Sequence, residues 1–261
     1  MIRFQNVSKI YYNTKALDNL SFYIEQGKLV LLAGPTGSGK TTIFRLIIRD
    51  LEPTQGEIQI GEIDVHKLHK SKIRHLRRKV GVVFQDLKLL FDRTVVENVM
   101  LPLELSGISE KEARKRAEEV LDDVGLSEKL ELFPLQLSGG EKQRVAIARA
   151  LVFNPEVILA DEPTGNLELK TSMQIFELLE RINKKGTTVF MATHNDHIID
   201  KTNYRVLRIE GGVLKSDRKS TNKEPEIEKK VENKKTERVE DKKEEGKNKK
   251  IKLESLKKGK K

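Results

Sequence analysis

The chain is expected to be an α/β protein whose parallel sheet carries a phosphate-binding loop at its centre. Short, wholly apolar runs recur at strand length, among them Leu29-Val30-Leu31-Leu32-Ala33 and Val157-Ile158-Leu159-Ala160, as strands buried on both faces should read. After the first run comes Gly34-Pro35-Thr36-Gly37-Ser38-Gly39-Lys40-Thr41-Thr42, which fits GxxxxGK[ST] at every fixed position. Residues 42–48 then place apolar side chains at helical spacing, so the glycines lie between a strand and a helix start.

Taken in order, residues 2–25 alternate enough for short strands, with turns at residues 13–15 and at Glu25-Gln26-Gly27. Tyr11 and Tyr12 lie here. A tyrosine ahead of a phosphate loop either stacks on an adenine ring or sits half-buried in its strand, and spacing leaves both readings open. In the loop, Gly34, Gly37 and Gly39 let the backbone turn tightly and aim N–H groups at a polyphosphate, which the helix N-terminus also attracts. Lys40 is placed to reach the β and γ phosphates, and the Thr41 hydroxyl to ligate Mg²⁺. The whole stretch Gly34, Pro35, Thr36, Gly37, Ser38, Gly39, Lys40, Thr41 and Thr42 is the expected polyphosphate cradle.

A strand at residues 57–60, a basic helical stretch at residues 70–78 and a strand Val80-Gly81-Val82-Val83-Phe84 follow, the last closed by Gln85. A neutral amide at the carboxyl end of a strand can reach a metal ion or an attacking water in an open α/β sheet; alone it is an ordinary surface residue. Ser109-Glu110-Lys111-Glu112 is a capping box for a helix that runs to about Val124, where Gly125 stops it. With residues 94–104 it forms the core of a helical subdomain over about residues 86–145. Within Leu137-Ser138-Gly139-Gly140-Glu141, the Ser-Gly-Gly turn opens another helix; it is either a second anion site or the plain cap of a core helix.

Asp161-Glu162 ends the buried run at residues 157–160. Two adjacent carboxylates there sit where the Mg²⁺ and the attacking water of a nucleotide hydrolase must be, unless they are mere strand-end charges. Asp161 is expected to hold the metal through water and Glu162 to act as general base. Residues 187–193 form a further strand that ends at His194. A lone histidine is more often structural, but if this strand joins the same sheet, His194 lands on the same edge as a γ-phosphate contact. A strand at residues 204–209 and Gly211-Gly212 are expected to end the fold, giving a domain of residues 1–214.

The 261-residue chain carries a net charge of +10, unevenly spread. Residues 215–261 hold 19 Lys and Arg against 11 Asp and Glu, so +8 of the charge lies there, and no aromatic residue follows Tyr204. Such a segment buries too little apolar surface to offset its ordering entropy and is read as a disordered tail. It is either a solvated extension or a weak contact to anionic lipid. The lack of cysteine rules out disulfides and thiolate metal sites. No signal peptide is apparent at Met1-Ile2-Arg3-Phe4, and no apolar run approaches the roughly 20 residues that span a bilayer. Work at a membrane would require another chain to supply the span.

Phosphate loop, Gln85, Leu137-Ser138-Gly139-Gly140-Glu141, Asp161-Glu162 and His194 stand in the order and at separations that resemble the ATP-binding cassette ATPases, over residues 1–214. The resemblance implies a P-loop NTPase core with the helical subdomain and an antiparallel β subdomain, ATP and Mg²⁺ as cofactors, and Tyr11 as the adenine-stacking aromatic. It also implies a head-to-tail dimer, in which Ser138, Gly139 and Gly140 of one copy face the γ-phosphate held by Gly39, Lys40 and Thr41 of the other. Residues 1–9 and 90–99 look most like the bacterial cell-division members, with the lipoprotein-release and macrolide-export groups sharing much of the pattern. That likeness implies an integral membrane partner, a peripheral place on the cytoplasmic face of the plasma membrane, and ATP-driven motion passed across the membrane to cell-wall hydrolases. Two positions depart from the common pattern: Glu141 stands where many cassettes have Gln, and Glu168 where the usual residue is Asp, a longer side chain at the point where the two active sites communicate.

A competing class is a soluble cassette acting on ribosomes or DNA. Such proteins carry two ATPase units or a long coiled coil between phosphate loop and signature; this chain has neither, and only the basic tail favours nucleic acid. No specific nucleic-acid partner is expected.

Overall fold

The computed structural model describes residues 1–220. In chain order its elements are β1 (Ile2–Tyr11), β2 (Thr14–Ile24), β3 (Leu29–Ala33), α1 (Lys40–Ile47), β4 (Gln55–Ile60), β5 (Ile63–Asp64), α2 (Ile73–Lys79) and β6 (Val80–Val83). Then come α3 (Val95–Glu104), α4 (Glu110–Asp123), α5 (Gly139–Leu151), β7 (Val157–Asp161), α6 (Leu169–Lys184), β8 (Thr188–Thr193), α7 (Asp196–Lys201), β9 (Arg205–Glu210) and β10 (Val213–Arg218).

Two sheets result. The central one has the order β10-β9-β3-β8-β7-β6, parallel except for β10, and the other is an antiparallel sheet ordered β2-β1-β4-β5. The apolar run of β3 is split by its pleat: Leu31 and Ala33 join the core that holds Val95, Ile147 and Phe176, while Val30 and Leu32 join the one that holds Ile43, Phe44 and Phe190. A strand that must satisfy two cores cannot alternate with polar residues, which is why it reads as continuous hydrophobe. Each fully buried Leu or Ile here contributes about 1.5–3 kcal/mol.

Helices α3, α4 and α5 pack on one another at one end of the central sheet. Despite its charge, α4 presents Ala113, Ala117, Val120 and Leu121 as one buried stripe. Ser109 caps it, accepting from the Glu112 N–H at 3.4 Å, and Gly125 at φ +75° ends it.

Three expectations shift. Residues 2–24 form two long strands, not several short ones, because bulges with Asn6 and Asn19 at positive φ bend the hairpin without breaking it. The segment at residues 57–60 begins earlier, at Gln55, and belongs to the antiparallel sheet. Gly211-Gly212 does not end the fold: it is the turn into β10, which pairs with β9 and runs across the expected boundary at residue 214. Its charged residues hid it, since an edge strand exposed on most of its length needs no apolar pattern. The expected disorder of the tail lies, beyond residue 220, outside the described residues.

Candidate active site

The register of the central sheet sets the site. Ala33 pairs with Thr193, Asp161 with Ala192 and Val83 with Ala160, so the chain leaves β3, β8, β7 and β6 at one carboxyl edge. The phosphate loop, His194, Glu162 and Gln85 all follow directly from these strand ends. Open parallel sheets bind ligands at that edge.

The loop has no room for side chains at two of its three glycines, while Gly37, at φ +79°, faces open space. A Cβ on Gly34 would lie 2.2 Å from the Ile209 carbonyl oxygen, and Gly39, at φ +107° before α1, would place one 2.6 Å from Leu17 Cδ2. Gly212 completes the support from behind, its N–H donating to the Ser38 carbonyl at 3.2 Å and its own carbonyl accepting from Asp18 at 2.9 Å. This role for Gly212 was not read from the sequence, where Gly211-Gly212 stood only as the expected end of the fold. Tyr11 sits at the tip of the β1–β2 hairpin, paired with Thr14, with Lys9 Nζ 5.1 Å from its ring centre. The same hairpin touches the loop through Ala16 and Leu17. Tyr12 is fully exposed.

Lys40, only 4% exposed, donates to the carbonyls of Gly34 at 2.9 Å and Pro35 at 3.0 Å, and its Nζ lies 3.2 Å from Glu162 Oε1. The other carboxylate oxygen, Oε2, lies 3.0 Å from Nδ1 of the half-exposed His194. Glu162 is itself at φ +48°, a conformation that costs a non-glycine residue on the order of 1–3 kcal/mol. The contacts with the lysine and the histidine hold the carboxylate in this conformation.

Asp161 is buried beside it, with the Thr41 hydroxyl close enough to favour its charged form. Burial pushes its carboxyl above the usual carboxylate range and the Glu162 charge adds to this, against the opposing influence of the Thr41 hydroxyl and the Lys40 charge. Its Oδ1 and the Ser38 hydroxyl are buried with no hydrogen-bond partner. These oxygens fit a hard cation: a hydroxyl at Thr41 and a carboxylate oxygen with unspent acceptor capacity at Asp161. Among the described residues no group of three or more His, Cys, Asp or Glu could hold a metal, so the chain offers only a partial oxygen shell, the kind Mg²⁺ completes with phosphate and water. Thr41 and Asp161 also line a cavity of about 990 Å³ that contains Gln85, Phe84, Pro102, Leu105 and Phe153.

The family model for the ABC transporter matches residues 17–165. The chain is 48% identical over 218 residues to the cell division ATP-binding protein FtsE of Bacillus subtilis, covering 83% of this chain and 96% of that one. The chain belongs to the ABC transporter family. It is an ATPase of that family. The Escherichia coli cell division ATP-binding protein FtsE is 45% identical over 215 residues, 82% of this chain and 97% of its own. Among solved structures, a dimeric bacterial ABC transporter cassette matches with a TM-score of 0.77 at 38% identity, over 85% of this chain and all of that one. A dimeric cassette in a post-hydrolysis state bound to ADP and Pi matches with a TM-score of 0.76 at 37% identity, with the same coverage.

In this ABC ATPase the signature turn stands apart from the phosphate loop. Among the described residues no hydrogen bond or ion pair joins residues 138–140 to residues 34–42. Ser138 caps α5: its N–H donates to the Glu141 carboxylate at 2.8 Å and its hydroxyl accepts from the Glu141 N–H at 3.4 Å. Both sequence readings of this turn therefore concern the same atoms, since a capped helix start still offers unpaired N–H groups. Lys129 pairs with the Glu141 carboxylate, and this pairing first, then the Ser138 N–H, lowers its pKa to about 2.

Behind the turn lies the segment after Glu162. A Cβ on Gly139 would meet Leu167 Cδ2 at 3.1 Å, and one on Gly140 would meet Thr171 Cγ2 at 2.5 Å. The buried Ser172 hydroxyl ties that segment together, donating to the carbonyls of Thr164 at 3.3 Å and Leu167 at 3.2 Å. Glu168 precedes α6 as its N-cap but makes no side-chain cap hydrogen bond, as its extra methylene predicts.

Proposed function

We propose that this ABC ATPase is the ATP-hydrolysing subunit of a cell-division complex of the FtsE type, acting at the cytoplasmic face of the plasma membrane with an FtsX-like integral membrane partner. The observation that carries the catalytic half is the Glu162 carboxylate held between Lys40 and His194 beside the Thr41–Asp161 pair. The phosphate-loop N–H groups and Lys40 bind the polyphosphate, and Tyr11 stacks on the adenine. Lys40 and Glu162 neutralise each other in one contact. A polyphosphate entering the loop gives Lys40 a second anion, which leaves Glu162 free to take a proton from the attacking water. His194, on the far oxygen of the same carboxylate, contacts the γ-phosphate. Thr41, Asp161 and Gln85 would hold Mg²⁺, which when bound neutralises charge on the phosphate oxygens.

Dimerisation of two copies follows from the exposed signature turn. Among the described residues Ser138, Gly139 and Gly140 have no hydrogen bond to the phosphate loop, and a second copy placed head to tail supplies a partner. Residues 1–218 act as the ATPase domain, closed by β10 on β9, with the helices near residues 86–145 as its helical subdomain. The cavity beside Gln85 supports a membrane partner: its apolar lining suits a short amphipathic helix, and anything seated there touches the loop that carries Gln85. Among the described residues no helix is long and apolar enough to cross a membrane.

The test is hydrolysis of Mg-ATP by the full chain, alone and with the membrane chain that co-purifies from detergent-solubilised membranes. Turnover stimulated by an FtsX-like chain is the expected result. Absence of both binding and hydrolysis under either condition would end the reading, and co-purification with a solute exporter would redirect it.

A further inference from the structure

We infer that Arg149 is a positioning residue for hydrolysis, tying α5, whose N-terminus carries Ser138, to the loop that presents Gln85. The inference rests on the proposed role of Gln85. Arg149 lies 11 residues beyond Ser138 on one helix, about 16 Å along a rigid rod. Its guanidinium reaches out of α5 with both terminal nitrogens, Nη1 donating to the Lys88 carbonyl at 2.6 Å and Nη2 to the Leu87 carbonyl at 2.5 Å.

Those two carbonyls belong to consecutive residues in the left-handed region, Leu87 at φ +58° and Lys88 at φ +51°. Neither is glycine, so the conformation is unfavourable and needs holding. Local hydrogen bonds close the turn, from Leu87 N–H to the Phe84 carbonyl at 3.1 Å and from Lys88 N–H to the Asp86 carbonyl at 2.6 Å. The fork of Arg149 is the contact from outside the loop that grips both strained carbonyls. A planar guanidinium fixes their relative orientation, which a single ammonium cannot do.

Further along, Asn98 locks the same loop, donating to the Leu90 carbonyl at 2.9 Å and accepting from the Leu90 N–H at 2.8 Å. Gln85 therefore sits between β6 and a segment pinned from two helices. Arg149 is half-buried and has no ion pair with a carboxylate among the described residues, so it is not there to neutralise charge. It lines the same cavity as Gln85. A movement of α5 at the signature end is thus delivered to Leu87 and Lys88, and through them to Gln85.

The test is a double-mutant cycle on the full chain, reading kcat and KM for ATP and the thermal midpoint. Arg149→Met should lower kcat about tenfold with KM within about twofold, and Arg149→Lys should recover only part of the loss. In a Gln85→Ala background, Arg149→Met should cost less than about twofold more, because both changes disable one device. If Arg149→Met does not fold, Arg149→Lys decides alone: reduced kcat at an unchanged thermal midpoint supports the inference, and wild-type kcat overturns it. An undiminished effect of Arg149→Met on top of Gln85→Ala, or a KM effect with kcat intact, overturns the inference while leaving Gln85 in its role. A silent Gln85→Ala removes that role and this inference with it.

Discussion

Around the phosphate loop, charged groups meet inside one chain: Lys40, Glu162, His194 and Asp161 are buried or paired within a few ångströms of each other. At the start of α5 the arrangement is opposite. Ser138 and Gly139 are exposed, Glu141 and Lys129 pair beside them, and among the described residues no ion pair joins them to the phosphate loop. The first region stores electrostatic stress, seen in the strained backbone of Glu162 and in the raised pKa of Asp161. The second is relaxed, a well-capped helix start. Chemistry needs poised charge, whereas docking against a second molecule needs a preformed surface, and the two demands are met in different places.

The comparison breaks first at Glu162. Glu162→Gln is expected to lower turnover by on the order of 10²–10⁴ while ATP binding persists, measured by steady-state hydrolysis beside equilibrium nucleotide binding. Equal turnover would remove it as the base. At the relaxed end, Ser138→Ala should lower turnover about tenfold, with nucleotide affinity of the isolated chain within about twofold, because the serine acts only once a second copy arrives. A tenfold loss of affinity in the monomer would place Ser138 in its own chain's site instead.

Asp161→Asn sharpens the contrast through stability. A carboxyl whose folded pKa is raised binds more protons when folded, so its penalty is absent below its ordinary pKa and grows as pH rises through the raised value. Above the raised value the variant, which carries no charge to bury, should be more stable than the parent, while losing hydrolysis. Denaturant titrations at pH 7 and pH 5 should show that gain shrinking at the lower pH; an equal gain at both would deny the buried charge its part. Glu141→Gln works in the other direction. The folded pKa of Glu141 is about 2, so its stabilisation is present above about 4.5 and lost as pH falls toward 2. The variant should be about 1 kcal/mol less stable at pH 7, since it loses the Lys129 pairing but keeps the cap. No difference at pH 7 would show that the Lys129 pair contributes nothing.

Much of this was legible from residues. The apolar runs at residues 29–33 and 157–160, the glycines of the loop, the N-cap at Ser109 and the capping box at Ser138 are local signals, each set by strand burial, backbone freedom or orphan N–H groups that the nearby sequence must satisfy; at Ser109 only half of the expected box forms, because Glu112 accepts from the Ser109 hydroxyl rather than from its N–H. Less legible were β10, whose exposed edge requires no pattern, and Gly212, whose function is to approach a loop some 175 residues earlier.

By itself the sequence determined which side chains exist to bind phosphate, hold a metal and take a proton, and which segments could be buried strands. Only the tertiary structure decided that Glu162 would lie between Lys40 and His194, that Ser138 would bond to Glu141 and not to its own phosphate loop, and that Arg149 would grip Leu87 and Lys88. Strand order and register, fixed by two cores packing on one sheet, bring together residues far apart in the chain, and no periodicity within any one segment encodes that meeting.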